Sequence, residues 1–408
     1  MKLFKSILII AVPVMTLFGS CQKDIIGPLG NNTTPPGPVS DVKVVNQSGQ
    51  ATLTYTLPTD LDVAYVKAEY TLLSGAKREV RASFYTSQMV VDGFGDTETH
   101  TVTLWAVNKS EVASTPITVQ VKPLENAIQI AFRTMKVVPA FGGVNVSLKN
   151  VARANLSIIP MRQQGYKGWV AFDGIYTNTD VISKNIRGLD TVPVKIAVVI
   201  RDRFLNQTDT LFSTVKPLFE VPLAKSLYKT MPGIIWPGDQ RANFSNNGTD
   251  ATGVVRMWDG ETVAFPSVAY TPPTITDQGP HSITFDLGQT AQLSRLVIWD
   301  YPETISGRKT YYYRGNMKNF EIWGSANPNA DGTYDSWYKL GTYQSVKPSG
   351  LPYGEVSDED QATASAGLSY DLDINVPKLR YLRIKCLNNW QGTNFLMISE
   401  VQAYGNPK

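Results

Sequence analysis

From residue 388 to residue 391 the chain reads Asn-Asn-Trp-Gln. Asn388, Asn389 and Gln391 place three planar amides around the indole of Trp390. That mixture suits a sugar, which offers apolar C–H patches and a ring of hydroxyls. An aromatic face covers the patch, and amides both donate to and accept from hydroxyls. A second stretch, from Asp300-Tyr301 to Tyr311-Tyr312-Tyr313-Arg314, gathers aromatics and guanidinium groups within fifteen positions. Tyr301, Arg308, Tyr311, Tyr313 and Arg314 would form the wall facing Trp390. The competing reading is that these tyrosines pack on their own domain and Trp390 caps the edge of a core.

Carboxylates are present but unplaced. Glycoside hydrolysis uses two carboxyl groups roughly 5 to 9.5 Å apart. Asp300, Glu303, Glu355, Asp358, Glu359 and Asp360 could supply them, yet nothing in the order of residues brings any two together. The acidic run from Glu355 to Asp360 reads as a solvated loop. The chain lacks a Gly-x-Ser-x-Gly elbow, a Walker loop and a His-Glu-x-x-His pair. Its two histidines, His100 and His281, are too few for a histidine-rich zinc site. Arg201 to Asp209 lacks the spacing and glycine of an EF-hand loop and reads as a turn between strands. Cys386 alternates with Leu382 and Ile384 and reads as a core residue.

A net charge of +3 over 408 residues gives no footprint for nucleic acid. The elements that must position these residues are strands. Ala51–Leu57, Thr101–Val107, Val192–Ile200 and Ser282–Leu287 are short runs rich in β-branched and aromatic residues, separated by turn formers. The fold class expected is all-β: two fibronectin/immunoglobulin-like β-sandwich domains at 39–124 and 125–222, then a jelly-roll β-sandwich at 236–408. Trp258, Trp299, Trp323 and Trp337 fall in or beside strands and are expected in the core, and Trp236 at the join to the second unit.

The N-terminus reads as an export signal. Two lysines in the first five residues precede an apolar run from Ile7 to Phe18, then Gly19, Ser20 and Cys21. The run is shorter than the roughly 20 residues of a spanning helix. Leu17-Phe18-Gly19-Ser20-Cys21 resembles the bacterial lipobox, which implies removal of residues 1–20, lipidation of Cys21 and anchoring in a membrane. Gln22-Lys23-Asp24 resembles a Bacteroidetes-type signal that sends lipoproteins to the outer face. Residues 21–38 are rich in Gly, Pro, Asn and Thr and read as a flexible tether.

His100-Thr-Val-Thr-Leu-Trp-Ala-Val-Asn108 resembles the corresponding strand of fibronectin type III domains, with His100 where those domains usually carry tyrosine. In the C-terminal part, Trp258-Asp-Gly-Glu-Thr262, Ile283–Gly288, Leu293–Ile298, Asn319–Ser325, Trp337–Leu340, Leu379–Lys385 and Ile398–Gly405 resemble, in order, the discoidin (coagulation factor type C) family. That resemblance implies a galactose-binding-like jelly roll with ligand contacts in loops at one end. It also implies a structural calcium ion held by Asp259, Thr262 and Glu400, whose hard oxygens suit Ca²⁺. The stretch from Lys347 to Gly367 is an insertion relative to that pattern. Taken whole, the chain is similar to surface lipoproteins of Bacteroidetes polysaccharide-utilisation loci.

The function expected is non-catalytic binding of a poly- or oligosaccharide at the outer membrane, serving a neighbouring glycan transporter. An adhesion protein with a protein or lipid partner is the second class, and a glycoside hydrolase or lyase the third.

Overall fold

The computed structural model describes residues 28, 30–231, 253–271, 280–373, 375–393 and 395–408. Cys21, its signal and most of the tether, Trp236 and Asn394 lie outside the described residues. The fold is all-β, with antiparallel sheets throughout.

The chain divides into two compact units. The first comprises the described residues up to 129 together with 204–206. Ser40–Gln47, Gln50–Thr56 and Gln88–Asp92 form one sheet in that order, and Lys77–Ser83, Val63–Thr71, His100–Asn108 and Ile117–Val121 form the other. This is the fibronectin-like sandwich expected. Alternation makes it: Val102, Leu104 and Ala106 point inward from one strand and meet Leu53, Val66, Val91 and Phe94 in a single core. His100 lies against the ring of Phe94, with centroids 4.7 Å apart, and its Nε2 is 2.7 Å from Asp96 Oδ1. That is a structural position.

The second unit contains a sandwich and the jelly roll. In the sandwich, Val181–Arg187, Gly143–Lys149 and Lys136–Ala140 face a sheet ordered Trp169–Ala171, Leu156–Gln163, Val194–Arg201 and Leu211–Val215, with Ile175–Thr177 also paired to Leu156–Gln163. Ile158, Val198 and Ile200 are buried on one face of that sheet. The segment after Arg201 turns back to bridge at Gln207, where Arg201 Nε donates to Gln207 Oε1 at 2.8 Å.

The jelly roll hangs on one 19-residue strand, His281–Trp299, shared between two sheets. Its first part pairs with Leu379–Asn389, and its second part with Glu400–Asn406 and Leu368–Asp371. The change of sheet falls where the register breaks, between Asp286 and Ala291. Gly288 sits there at φ +69°, and a Cβ would strike the carbonyl of Leu227, so only glycine fits. Met317–Ser325 and Tyr338–Gln344 extend the first sheet. Ile283, Phe285, Phe320, Ile322, Leu382, Ile384 and Cys386 fill the core. Burial pushes the Cys386 thiol up to about 12, as befits a core residue. Val221–Pro222, arriving from the sandwich, pairs with Glu400–Asn406, and Arg187 bonds Asp371 while Glu220 bonds Arg295 and Ser294.

Of the tryptophans expected in the core, Trp337 is buried against Arg383, and Trp258 packs on Phe285 and Tyr228. Trp299 and Trp323 are half-buried.

Candidate functional site

Three loops meet at one end of the jelly roll: 259–270, 300–316 and 389–397. Where His281–Trp299 ends, the chain buries Asp300 and turns through the hairpin Glu303–Ile305 and Arg308–Thr310. Tyr312 and Arg314 then adopt left-handed backbone at φ 53° and 48°, which costs free energy for non-glycine residues and sharpens the bend. Gly315 follows, and a Cβ there would stand 2.5 Å from the Phe395 ring and 2.6 Å from Met397 Cγ. The loops therefore touch backbone to side chain at that point.

Backbone bonds hold them together. Trp390 N donates to Asn316 O at 3.0 Å, Gln391 N to Arg314 O at 3.2 Å, and Met397 N to Gly315 O at 2.8 Å. Asn389 organises its own loop, its Nδ2 donating to Phe395 O at 2.7 Å and Thr393 Oγ1 at 2.8 Å. Asn316 Nδ2 donates to Tyr301 O at 3.0 Å.

The result is a hollow of about 340 Å³, lined by Phe265, Val268, Tyr270, Tyr301, Glu303, Arg314, Phe395 and Met397. Phe265 is 64 % exposed and meets Tyr301 edge-on at 6.5 Å. Arg314 Nη1 donates to Glu303 Oε1 at 2.9 Å, and both side chains stay partly solvent-exposed. Apolar rings beside a guanidinium–carboxylate pair can cover one face of a sugar while bonding its hydroxyls from the side. Outside the hollow, Tyr353 from the insertion stacks on Tyr313 with centroids 4.8 Å apart and planes 18° apart. Lys347, buried at the base of the insertion, donates to the carbonyls of Leu351, Pro352 and Glu355 at 2.9–3.0 Å.

Two of the residues expected at a ligand site, Tyr301 and Arg314, line this hollow. The others are placed differently. Tyr311 and Asn389 are buried, at 3 % and 1 % exposure, and support the loops from within. Trp390 does not line the hollow. Its ring leans edge-on against Tyr312 at 5.4 Å, and the ammonium groups of Lys318 and Lys347 lie 4.9 and 5.4 Å from its centroid. Those contacts hold Trp390 between the strand Met317–Ser325 and the insertion. Arg308 reaches Asp358 at 2.6 Å, and Asn388 accepts from Asn319 Nδ2 at 2.9 Å. Gln391 is exposed, and Tyr313 is half-exposed beneath Tyr353. Phe265, Tyr270, Phe395 and Met397 were not among the expected site residues. Phe395-Leu-Met397 reads locally as core, and only its juxtaposition with residue 265 reveals a wall.

The calcium expectation meets a different chemistry. Glu400 is buried, and its carboxylate takes the Lys225 ammonium on one oxygen and the Gly260 N–H at 3.2 Å on the other. Asp259 accepts from Ser267 and from Arg256 Nη1 at 3.2 Å. Thr262 bonds neither carboxylate among the described hydrogen bonds, and no three acidic, histidine or cysteine side chains converge among the described residues. A donor set already facing two cations does not fit a calcium ion.

Comparison with known proteins gives three family models in succession along the chain. Residues 36–123 match DUF4959, residues 124–226 match DUF5126 and residues 258–405 match DUF5000, each described as a domain of unknown function. No curated protein matches the chain. Among solved structures, a family 32 carbohydrate-binding module of Clostridium perfringens NanJ, in complex with galactose, is 14% identical, covering 45% of this chain and 98% of its own, with a TM-score of 0.30. A two-domain fibronectin type III segment of chicken tenascin is 12% identical, covering 44% of this chain and 99% of its own, with a TM-score of 0.22. Over a longer span, the chain is similar to the SusE-like protein BT2857, at 29% identity over 68% of this chain and 98% of that one, with a TM-score of 0.44.

Proposed function

We propose that the chain is a non-catalytic carbohydrate-binding protein, anchored through a lipid on Cys21 to the outer membrane and facing outward. It would hold a poly- or oligosaccharide for a neighbouring transporter. The observation that carries this reading is the hollow between Phe265, Tyr301 and Phe395 with the Glu303–Arg314 pair at its side. Its rings offer C–H contact, and its ion pair offers both donors and acceptors. Hydrolysis is disfavoured by the same geometry. Glu303 is the one carboxylate among the described lining residues, and Arg314 engages it. Asp300, the nearest acid in sequence, is buried beneath the loop.

The test is electrophoresis of the soluble chain beginning at Gln22 through gels containing galactan, polygalacturonate, xylan or mucin, with release of reducing ends followed in parallel. Retention by at least one polymer, weakened about tenfold in Phe265→Ala and Arg314→Ala without new reducing ends, supports the reading. Failure of all four polymers to retain the wild type, or the appearance of new ends, overturns it.

A further inference from the structure

The sandwich that precedes the jelly roll carries a partly exposed aromatic pair on its surface. Trp169 and Phe212 are 40 % and 64 % exposed, and their ring centroids lie 5.5 Å apart with planes at 49°. Residue pairing puts both on the outer face of one sheet. Ala171 stands opposite Met161, Met161 opposite Ala197, and Ala197 opposite Phe212. Trp169, Gln163, Lys195 and Thr214 are each two residues along from this row, hence on the same face. Ile158, Val198 and Ile200 point the other way, into the core. Together the outer residues frame a hollow of about 330 Å³.

Burying an aromatic side chain stabilises a fold, and this pair forgoes part of that while presenting an apolar surface to water. The surroundings say what would cover it. An amide from Gln163, a hydroxyl from Thr214 and the ammonium of Lys195 border the rings. Two rings set at an angle and bordered by such groups match the alternating C–H and hydroxyl surface of a sugar. We propose that this face is a second carbohydrate contact, taking one or two units of a glycan chain. Lys195 is the one charged side chain among the described lining residues, so a chain carrying carboxylates gains there. The inference rests on the glycan-binding reading of the jelly roll and adds a site to it.

The test uses the same four polymer gels with the chain beginning at Gln22. The paired variant Trp169→Ala/Phe212→Ala is compared with Phe265→Ala/Arg314→Ala and with all four changes combined. Two contacts on one chain act together, so removing the sandwich pair should lower retention by at least about tenfold, and removing both pairs should abolish it. Lys195→Ala, at an exposed position, should weaken retention by polygalacturonate more than by galactan. Near-ultraviolet and far-ultraviolet circular dichroism verifies that the variants fold. Retention of wild type with unchanged retention of folded Trp169→Ala/Phe212→Ala overturns the second contact alone. Failure of every polymer to retain wild type overturns both readings together.

Discussion

The ammonium of Lys225 lies against the carboxylate of Glu400, joining the segment ahead of the jelly roll to its final strand. Glu400 has only 1 % of its side chain exposed, against 26 % for Lys225. Burial raises the Glu400 carboxyl to about 7, against the pull of Lys225 and the Gly260 N–H. Lys225→Met should therefore destabilise the jelly roll by about 2 kcal/mol at pH 8, less than a fully buried broken pair because solvent reaches the lysine. At pH 6 the loss should shrink, because Glu400 can take up a proton. Equal losses at the two pH values would remove the pairing as the cause. Calcium or a chelator should leave the wild-type midpoint unmoved, and a shift would reinstate a metal.

Asp300 gives the fold a second pH dependence. Burial raises its carboxyl from 3.8 to about 7, and Oδ2 has no hydrogen-bond partner among the described residues. A folded state that binds the proton more tightly than the unfolded chain gains stability at low pH. That gain is complete below about pH 4 and is lost as pH rises through 7, at up to about 1.4 kcal/mol per unit. Asp300→Asn should flatten the decline in urea unfolding of the jelly roll between pH 4 and 7. Parallel slopes for variant and wild type would count against it.

Gly315→Ala tests the closeness of the loops. The added methyl meets Phe395 and Met397 at 2.5–2.6 Å, and overpacking of this kind costs about 1–3 kcal/mol. Glycan retention should fall with stability, since the same contact forms a wall of the hollow. Unchanged retention would place the ligand elsewhere.

Lys347→Met should loosen the insertion. Three carbonyls of exposed residues lose one shared donor, and each such bond contributes about 0.5–1.5 kcal/mol where water does not replace it. Hydrogen exchange at residues 349–357 should quicken while the strand Met317–Ser325 stays protected. Uniform quickening of both would show a global effect instead.

The strands were legible because their alternation is local. Val102, Leu104 and Ala106, or Leu382, Ile384 and Cys386, declare an inward face within five positions. Of the residues expected to bind a ligand, Tyr301 and Arg314 line the hollow. What escaped depends on distance in sequence. Phe265 and Phe395 are 130 positions apart, and nothing local marks them as a pair. Trp390 stands apart from the hollow for a related reason: the cations beside it, Lys318 and Lys347, come from another strand and from the insertion. Lys225 lies outside the block of matching stretches, so the partner of Glu400 could not be read from them.

The pairing of Val221–Pro222 with Glu400–Asn406 has a mechanical consequence. A pull arriving through the sandwich does not load a free linker. It is spread at once over two backbone strands and over the Arg187–Asp371 and Glu220–Arg295 pairs. The joint is a splice rather than a hinge, so sandwich and jelly roll turn as one lever. Force entering at either body is thus shared by backbone bonds and ion pairs before it reaches the loops.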